Sequence, residues 1–141
     1  MDKLFIDSDI ILDLIQEREH YPDALKLFAL IESNKVKGYV SPLIFANLFY
    51  ILRKQESGKF ALHVLTRLKA LLHILTIDEK TIELALSSGF KDFEDAIQYY
   101  CALEENLDFL ITRNKDDYRK SGIIICNAKE YLAIRTSHQD I

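Results

Sequence analysis

Short apolar runs alternate along this chain with segments whose apolar residues recur at helical spacing, and this alternation restricts the fold more than any other feature. The runs predicted as strands cover residues 3–6, 38–41, 72–77, 108–111 and 123–126. Parallel strands need crossover connections, which helices usually supply, and the helices then cover both faces of the sheet. We therefore predict an α/β fold, a three-layer sandwich with a central parallel sheet of about five strands.

The segments between the runs have the start signals of helices. Asp78 and Asn127 are predicted N-caps, because their side chains can accept hydrogen bonds from free backbone amides. Helices are predicted at residues 9–16, 22–33, 42–54, 59–71, 79–86 and 92–105 and after Asn127. With 141 residues the chain has the size of one domain. We predict a single domain over residues 1–135 and a C-terminal tail over residues 136–141.

The charge balance narrows the classes of function. A net charge of −4 does not fit a sequence-blind nucleic-acid binder, whose affinity comes from basic residues that neutralise phosphates. A nuclease that grips phosphate through bound cations is compatible with an acidic chain. Cys101 and Cys126 sit in apolar runs and are interpreted as buried hydrophobic residues. No apolar run is long enough for a membrane span and no signal peptide is recognised, so no membrane contact and a cytoplasmic location are expected.

Polar side chains follow the predicted strands at the points where those strands end. In open parallel sheets, ligands bind beyond the carboxyl ends of the strands. The residues placed there are Asp7, Ser8 and Asp9, then Ser41 with Asn47 in the helix that follows, then Thr112, Arg113, Asn114, Asp116 and Asp117. The helix before the fourth strand begins with Asp92 and carries Asp95. Hard oxygen ligands such as these select Mg²⁺ or Mn²⁺, so the sequence predicts an acidic, metal-binding site.

Each part of this pattern also has a purely structural interpretation. Asp7 or Ser8 can cap a helix, and Asp92 with Asp95 fits a capping pair. Residues 112–114 fit a simple turn. However, the helix at residues 92–105 has two stripes that look packed, and one of them contains Asp95. A half-buried carboxylate there needs a partner, and a metal ion is one candidate.

Four short motifs, taken in order and spacing, resemble the PIN-domain family, to which the VapC-type toxin ribonucleases belong. The motifs are FIDSDIILD at 5–13, SPLIFANL at 41–48, DFEDA at 92–96, and LITRN at 110–114 with Asp117-Tyr118. The resemblance covers nearly the whole chain, and one branch of the family has this Thr-Arg-Asn form of the fourth motif. It implies a PIN-like sheet and a metal-dependent endoribonuclease that cleaves single-stranded RNA.

The resemblance also implies roles for individual residues. Asp7 would be the central metal ligand and catalytic residue, Asp95 the second, and Asp92 a nearby metal ligand. The residues implied as supporting are Ser8, Asp9, Asn47, Thr112, Asn114 and Asp117. The chain departs from the family twice, because Asn47 stands where the family usually has glutamate and Asn114 where it often has aspartate. Each departure removes one negative charge, which Asp9, Asp116 or Asp117 is a candidate to restore.

Three functions remain as alternatives. The first is a ribonuclease that uses Mg²⁺ or Mn²⁺, the toxin of a toxin–antitoxin pair, with RNA, an antitoxin protein and a second copy of the chain as partners. The surplus of apolar residues in the helix at 42–54, with its neighbour at 59–71, predicts a dimer surface. The second is a catalytically weakened PIN domain that binds RNA or protein. The third is a phosphate-handling or receiver-like domain, which the absence of a glycine-rich phosphate loop disfavours.

Overall fold

A parallel sheet with the strand order β3-β2-β1-β4-β5 forms the centre of the computed structural model. The model describes residues 1–118 and 122–139, and for residues 117, 138 and 139 it describes the backbone alone. The strands are β1 (Lys3–Ile6), β2 (Lys37–Val40), β3 (His73–Ile74), β4 (Phe109–Ile111) and β5 (Ile124–Cys126). The predicted α/β sandwich around a five-stranded parallel sheet is confirmed.

Helices connect successive strands and cover the sheet. They are α1 (Ser8–Ile15), α2 (Tyr21–Glu32), α3 (Pro42–Gln55), α4 (Gly58–Leu71), α5 (Glu79–Leu86), α6 (Phe93–Glu104) and α7 (Ala128–Gln139), with a short 3-10 helix at Lys115–Asp117. Two predicted N-caps are confirmed. Asp78 accepts from the Thr81 N–H at 3.0 Å, and Asn127 accepts from the Glu130 N–H at 2.8 Å.

The central strand β1 explains why its sequence is continuously apolar. Phe5 pairs in register with Tyr39 of β2 on one side and with Leu110 of β4 on the other. Leu4, Phe5 and Ile6 are all completely buried. Helices cover both faces of a parallel sheet, so a central strand has no solvated side on which polar residues would alternate.

The position of β1 also determines where a site can form. From β1 the chain proceeds outward to β2 and β3 on one side and later returns to add β4 and β5 on the other. The connections after β1 and after β4 therefore diverge to opposite faces, which leaves a crevice at the carboxyl ends of these two strands. Strands β2, β1 and β4 are neighbours, so the residues that follow them meet at one edge of the sheet.

Two predicted boundaries are wrong. The third strand was expected over residues 72–77 but comprises only His73–Ile74, because it is an edge strand that pairs on one side and then turns towards the Asp78 cap. The tail expected from residue 136 is helical as far as Gln139. No glycine or proline interrupts α7, so the helix continues, and the Thr136 hydroxyl donates to the Leu132 carbonyl at 3.0 Å. Residues 140–141 lie outside the described part of the chain.

Both cysteines are buried and free, as their apolar surroundings predicted. Burial raises the pKa of each thiol to about 12, so neither carries a reactive thiolate at neutral pH. Within the described ranges, no helix has the length and apolar character that a membrane span requires.

Candidate active site

Asp7 lies at the carboxyl end of β1 and is at the same time the N-cap of α1. Its Oδ1 accepts from the Ser8 backbone N–H at 2.7 Å. Its Oδ2 accepts from the Thr112 hydroxyl at 2.8 Å and from the Tyr118 hydroxyl at 3.1 Å. The side chain is only 7% exposed. The capping and site interpretations of Asp7 are therefore compatible, because one oxygen caps the helix while the other faces the residues that follow β4.

Thr112 holds Asp7 from the neighbouring strand. Its hydroxyl donates to Asp7 and accepts from the Asn114 backbone N–H at 3.1 Å. Thr112 is completely buried, so this hydrogen bond restricts the Asp7 side chain to one orientation. Ser8, which was expected to do the same, places its hydroxyl 3.5 Å from Asp7 Oδ1, at the limit of a hydrogen bond.

Tyr118 brings the two principal predicted acids together. Its hydroxyl oxygen lies 3.1 Å from Asp7 Oδ2 and 3.4 Å from Asp95 Oδ1. Burial and the two neighbouring carboxylates raise the pKa of Tyr118 far above its usual range, so the hydroxyl remains a proton donor. Both carboxylates therefore border the same hydroxyl, which makes them candidates for binding one cation.

Asp9 faces the loop after β4, where its Oδ2 accepts from the Arg113 backbone N–H at 3.0 Å and from Asn114 Nδ2 at 3.3 Å. Its Oδ1 is buried and has no hydrogen-bond partner in the described part of the chain. Burial, followed by the charge of Asp7, raises the pKa of Asp9 to about 6. Asn114 thus turns its NH₂ group towards Asp9.

Asn47 contacts a residue to which sequence reasoning assigned no role. Its Nδ2 donates to Glu94 Oε1, and Glu94 is half-buried. Burial raises the pKa of Glu94, and the charges of Asp92 and Asp7 raise it further, although the hydrogen bond from Asn47 opposes this. Glu94 therefore lies within the electrostatic range of Asp7. The sequence feature that could have identified Glu94 is its place beside Asp95 in the third motif.

The other acids predicted at this edge of the sheet are Asp92, Asp116 and Asp117. Asp92 is exposed and accepts from the Asp95 backbone N–H at 3.0 Å, which makes it the N-cap of α6. A metal-binding role for Asp92 stays a prediction. Asp116 is exposed. Asp117 ends the 3-10 helix, and its side chain lies outside the described part, so its supporting role also stays a prediction.

An ion pair between a buried acid and a partly exposed arginine borders the site, and sequence reasoning missed it. Asp13 in α1 is 1% exposed, and Arg113 Nε lies 2.9 Å from its Oδ2. Neither oxygen of Asp13 has a hydrogen bond of good geometry among residues 1–118 and 122–139, so charge rather than alignment holds the pair. Asp13 stands in the first motif, but nothing in its spacing distinguishes it from a solvated helix residue.

The donor set fits a hard divalent cation held partly by water. Asp7 and Asp95 converge on one hydroxyl, and Asp9 adds a buried oxygen without a hydrogen-bond partner. The described residues contain no preformed group of three or more histidine, cysteine or acidic side chains with the geometry of a metal site. Mg²⁺ commonly binds proteins through one or two carboxylates and keeps several of its waters, so two direct carboxylates are sufficient.

Comparisons with known proteins indicate the family of this chain. The profile of the PIN domain matches residues 3–116. Ribonuclease VapC1 of Aquifex aeolicus is 28% identical over 126 residues, which is 83% of this chain and 85% of that protein.

Solved structures agree in fold. The sarcin–ricin-loop-cleaving toxin VapC20 of Mycobacterium tuberculosis superposes with a TM-score of 0.65 at 15% identity, covering 81% of this chain and 92% of that one. A chain of a toxin–antitoxin complex from Klebsiella pneumoniae also gives 0.65, at 21% identity, covering 86% and 95%. At these identities the structures support the fold alone. Together with the profile match over most of the sequence, they confirm the resemblance that the four motifs predicted: the chain belongs to the PIN-domain family.

Proposed function

We propose that this protein is a metal-dependent endoribonuclease that cleaves single-stranded RNA and acts as the toxin of a toxin–antitoxin pair. The observation that carries the proposal is the convergence of Asp7 and Asp95 on the Tyr118 hydroxyl, at the crevice between β1 and β4 of a PIN domain. The ribonuclease name of the Aquifex relative supports the same reaction.

The residues divide between holding a cation and orienting its ligands. Asp7 and Asp95 would bind the ion, while Thr112 holds Asp7 in place. When bound, a divalent cation supplies an activated water and stabilises charge that develops on the phosphate. PIN-domain ribonucleases of the VapC type depend on a divalent cation. For this chain we propose Mg²⁺ or Mn²⁺.

The two asparagines in the motifs do not leave the site short of charge. Asn47 and Asn114 each bind an acid, Glu94 and Asp9 respectively. Burial is the main cause that raises the pKa values of these two acids, and the charge of Asp7 raises both further. Their charges act at the same edge of the sheet as Asp7, which favours the active enzyme over the weakened binding module.

We also propose that the chain binds an antitoxin protein and a second copy of itself. One of the similar structures is a toxin–antitoxin complex, which supports an antitoxin as partner of this chain. For the dimer, Leu48 and Leu52 of the predicted surface are core residues, but Tyr50 is 65% and Leu62 of α4 59% exposed. Sedimentation that shows only monomer at high micromolar concentration would remove the dimer from the proposal.

The test replaces one carboxylate at a time. We expect Asp7→Asn and Asp95→Asn each to abolish Mn²⁺ binding in calorimetry and cleavage of a mixed-sequence RNA together. Asp116→Asn is the matched control, because it removes the same charge from an exposed position nearby. Cleavage by Asp7→Asn at the wild-type rate would refute the mechanism. RNA binding without cleavage by the wild type, at millimolar Mn²⁺, would favour the binding module.

A further inference from the structure

A groove between α2 and α7 is lined by basic side chains. It has a volume of about 920 Å³, and its charged residues are Lys26, Lys35, Lys129 and Arg135 with a single acid, Asp23. The whole chain has a net charge of −4, so the excess of basic residues in the groove is opposite in sign to the net charge of the chain.

The cations of the groove are available to a ligand. Lys26, Lys35 and Lys129 are exposed. None of the three has an ion-pair partner within the ranges that the structure describes. Ala29 and Ala133 line the groove between the two helices, and their small side chains leave it open to an extended chain. Three cations without ion-pair partners along a groove that has one acid form a binding surface for a polyanion.

The groove adjoins a second cavity that borders the loop after β4. Asp23 and Lys129 also line a second, smaller cavity of about 290 Å³, whose other wall contains Arg113 and Asn114. The backbone N–H of Arg113 and the side chain of Asn114 hydrogen-bond to Asp9. The two cavities thus share Asp23 and Lys129, and the smaller one ends at two residues that contact Asp9.

Arg113 provides a cation at the smaller cavity. Its Nε is paired with the buried Asp13 at 2.9 Å. Within residues 1–118 and 122–139 only the Nε of the Arg113 guanidinium has a charged partner, and Arg113 lines the smaller cavity. A guanidinium paired in this way can bind phosphate through its other N–H groups.

We propose that a single strand of RNA lies in the groove between α2 and α7, with its phosphates on Lys26, Lys35 and Lys129, and passes Arg113 to reach the acidic centre. This rests on the proposed ribonuclease function. Without a bound metal ion the acidic centre repels a polyanion, so the affinity of the metal-free protein for RNA has to come from cations elsewhere on the chain. The groove supplies them at the position that a strand entering the site would cross.

The test measures RNA binding without cleavage. A fluorescent single-stranded RNA is titrated in EDTA at several salt concentrations, with anisotropy as the readout. We expect Lys26→Gln/Lys35→Gln/Lys129→Gln to reduce the salt slope of log K by about 2, since each phosphate contact with a single strand contributes about 0.7. At 0.15 M salt this corresponds to an affinity about 50-fold lower. All three side chains are exposed, so the fold should persist, which circular dichroism checks.

The control removes the same charge from lysines that do not line the groove. Lys37, Lys69 and Lys80 are exposed and lie at the amino end of β2, on α4 and on α5. Replacing these three by glutamine should change the slope by less than about 0.7. Equal slopes for the two triple variants would overturn the proposal. The proposal would also be overturned if the groove variant kept its affinity for RNA but no longer bound a polyglutamate peptide. Because no metal or cleavage is involved, Mn²⁺-dependent cleavage by the wild type tests the proposed function separately.

Discussion

Asp9→Asn should stabilise the metal-free protein at neutral and alkaline pH. Asp9 has a raised pKa of about 6 against an ordinary value of 3.8, because it is buried next to the charge of Asp7. Ionised Asp9 therefore disfavours the folded state. The difference between the two pKa values corresponds to about 3 kcal/mol at full ionisation, at ~1.36 kcal/mol for each pKa unit. Asparagine keeps an oxygen for the Arg113 N–H but loses the charge, so we expect a gain of about 1–3 kcal/mol.

The sign of the pH dependence follows from the direction of the shift. The folded state binds the Asp9 proton more tightly than the unfolded state does, so wild-type stability falls as the pH rises from about 4 through about 6. The gain from Asp9→Asn should consequently be small at pH 4 and complete above pH 7. Added Mn²⁺ should make the wild type more stable than Asp9→Asn. The reason is that the ion stabilises the protein that binds it more tightly, and the charge of Asp9 contributes to that binding.

Urea denaturation in EDTA at pH 4 and pH 8 measures both effects. Comparing each variant with the wild type at the same pH cancels the titration of other groups. Asp116→Asn is again the control, since that residue is exposed, and it should change the free energy of unfolding by less than about 0.5 kcal/mol. A variant less stable than the wild type at pH 8, or an equal gain at both pH values, would refute the reasoning.

Three further substitutions test the contacts around the site. Arg113→Gln should lower the free energy of unfolding by about 3 kcal/mol, because it leaves Asp13 buried without its counter-charge. In a double-mutant cycle, adding Asp13→Asn should restore most of this loss. Additive losses of the two substitutions would contradict an interaction between Arg113 and Asp13. Tyr118→Phe should lower metal-free stability by about 1–3 kcal/mol in urea titrations, since it removes the donor shared by two carboxylates, and unchanged stability would contradict the bridge. Glu130→Gln should destabilise α7 at pH 7, and the difference should shrink as the pH falls through the lowered pKa of Glu130. The reason is that the Asn127 N–H and Lys115 lower the pKa of Glu130 in the folded state; an equal difference at pH 3 would contradict this.

Local pattern was sufficient for the architecture. Some elements are specified by contacts within a few residues, as are the strand that ends at Asp7 and the helices capped by Asp78 and Asn127. Such elements can be predicted from the sequence alone. The placement of Asp7, Thr112 and Asn114 at one edge followed from a general property of parallel sheets. The two wrong boundaries, at β3 and at the end of α7, lie where strand pairing or continued helical hydrogen bonding decides, and sequence spacing contains neither.

The sequence by itself determined the family, the order of strands and helices, and the edge of the sheet where acids gather, because these depend on periodicity and on short motifs. Only the tertiary structure decided which side chains meet there. Tyr118 joins Asp7 to Asp95 across 111 and 23 residues of chain, Glu94 turns towards Asn47, and Asp13 is paired with Arg113. Such contacts depend on burial and on the packing of separate elements, which alone determine whether an acid is solvated, capped, paired or placed against another acid.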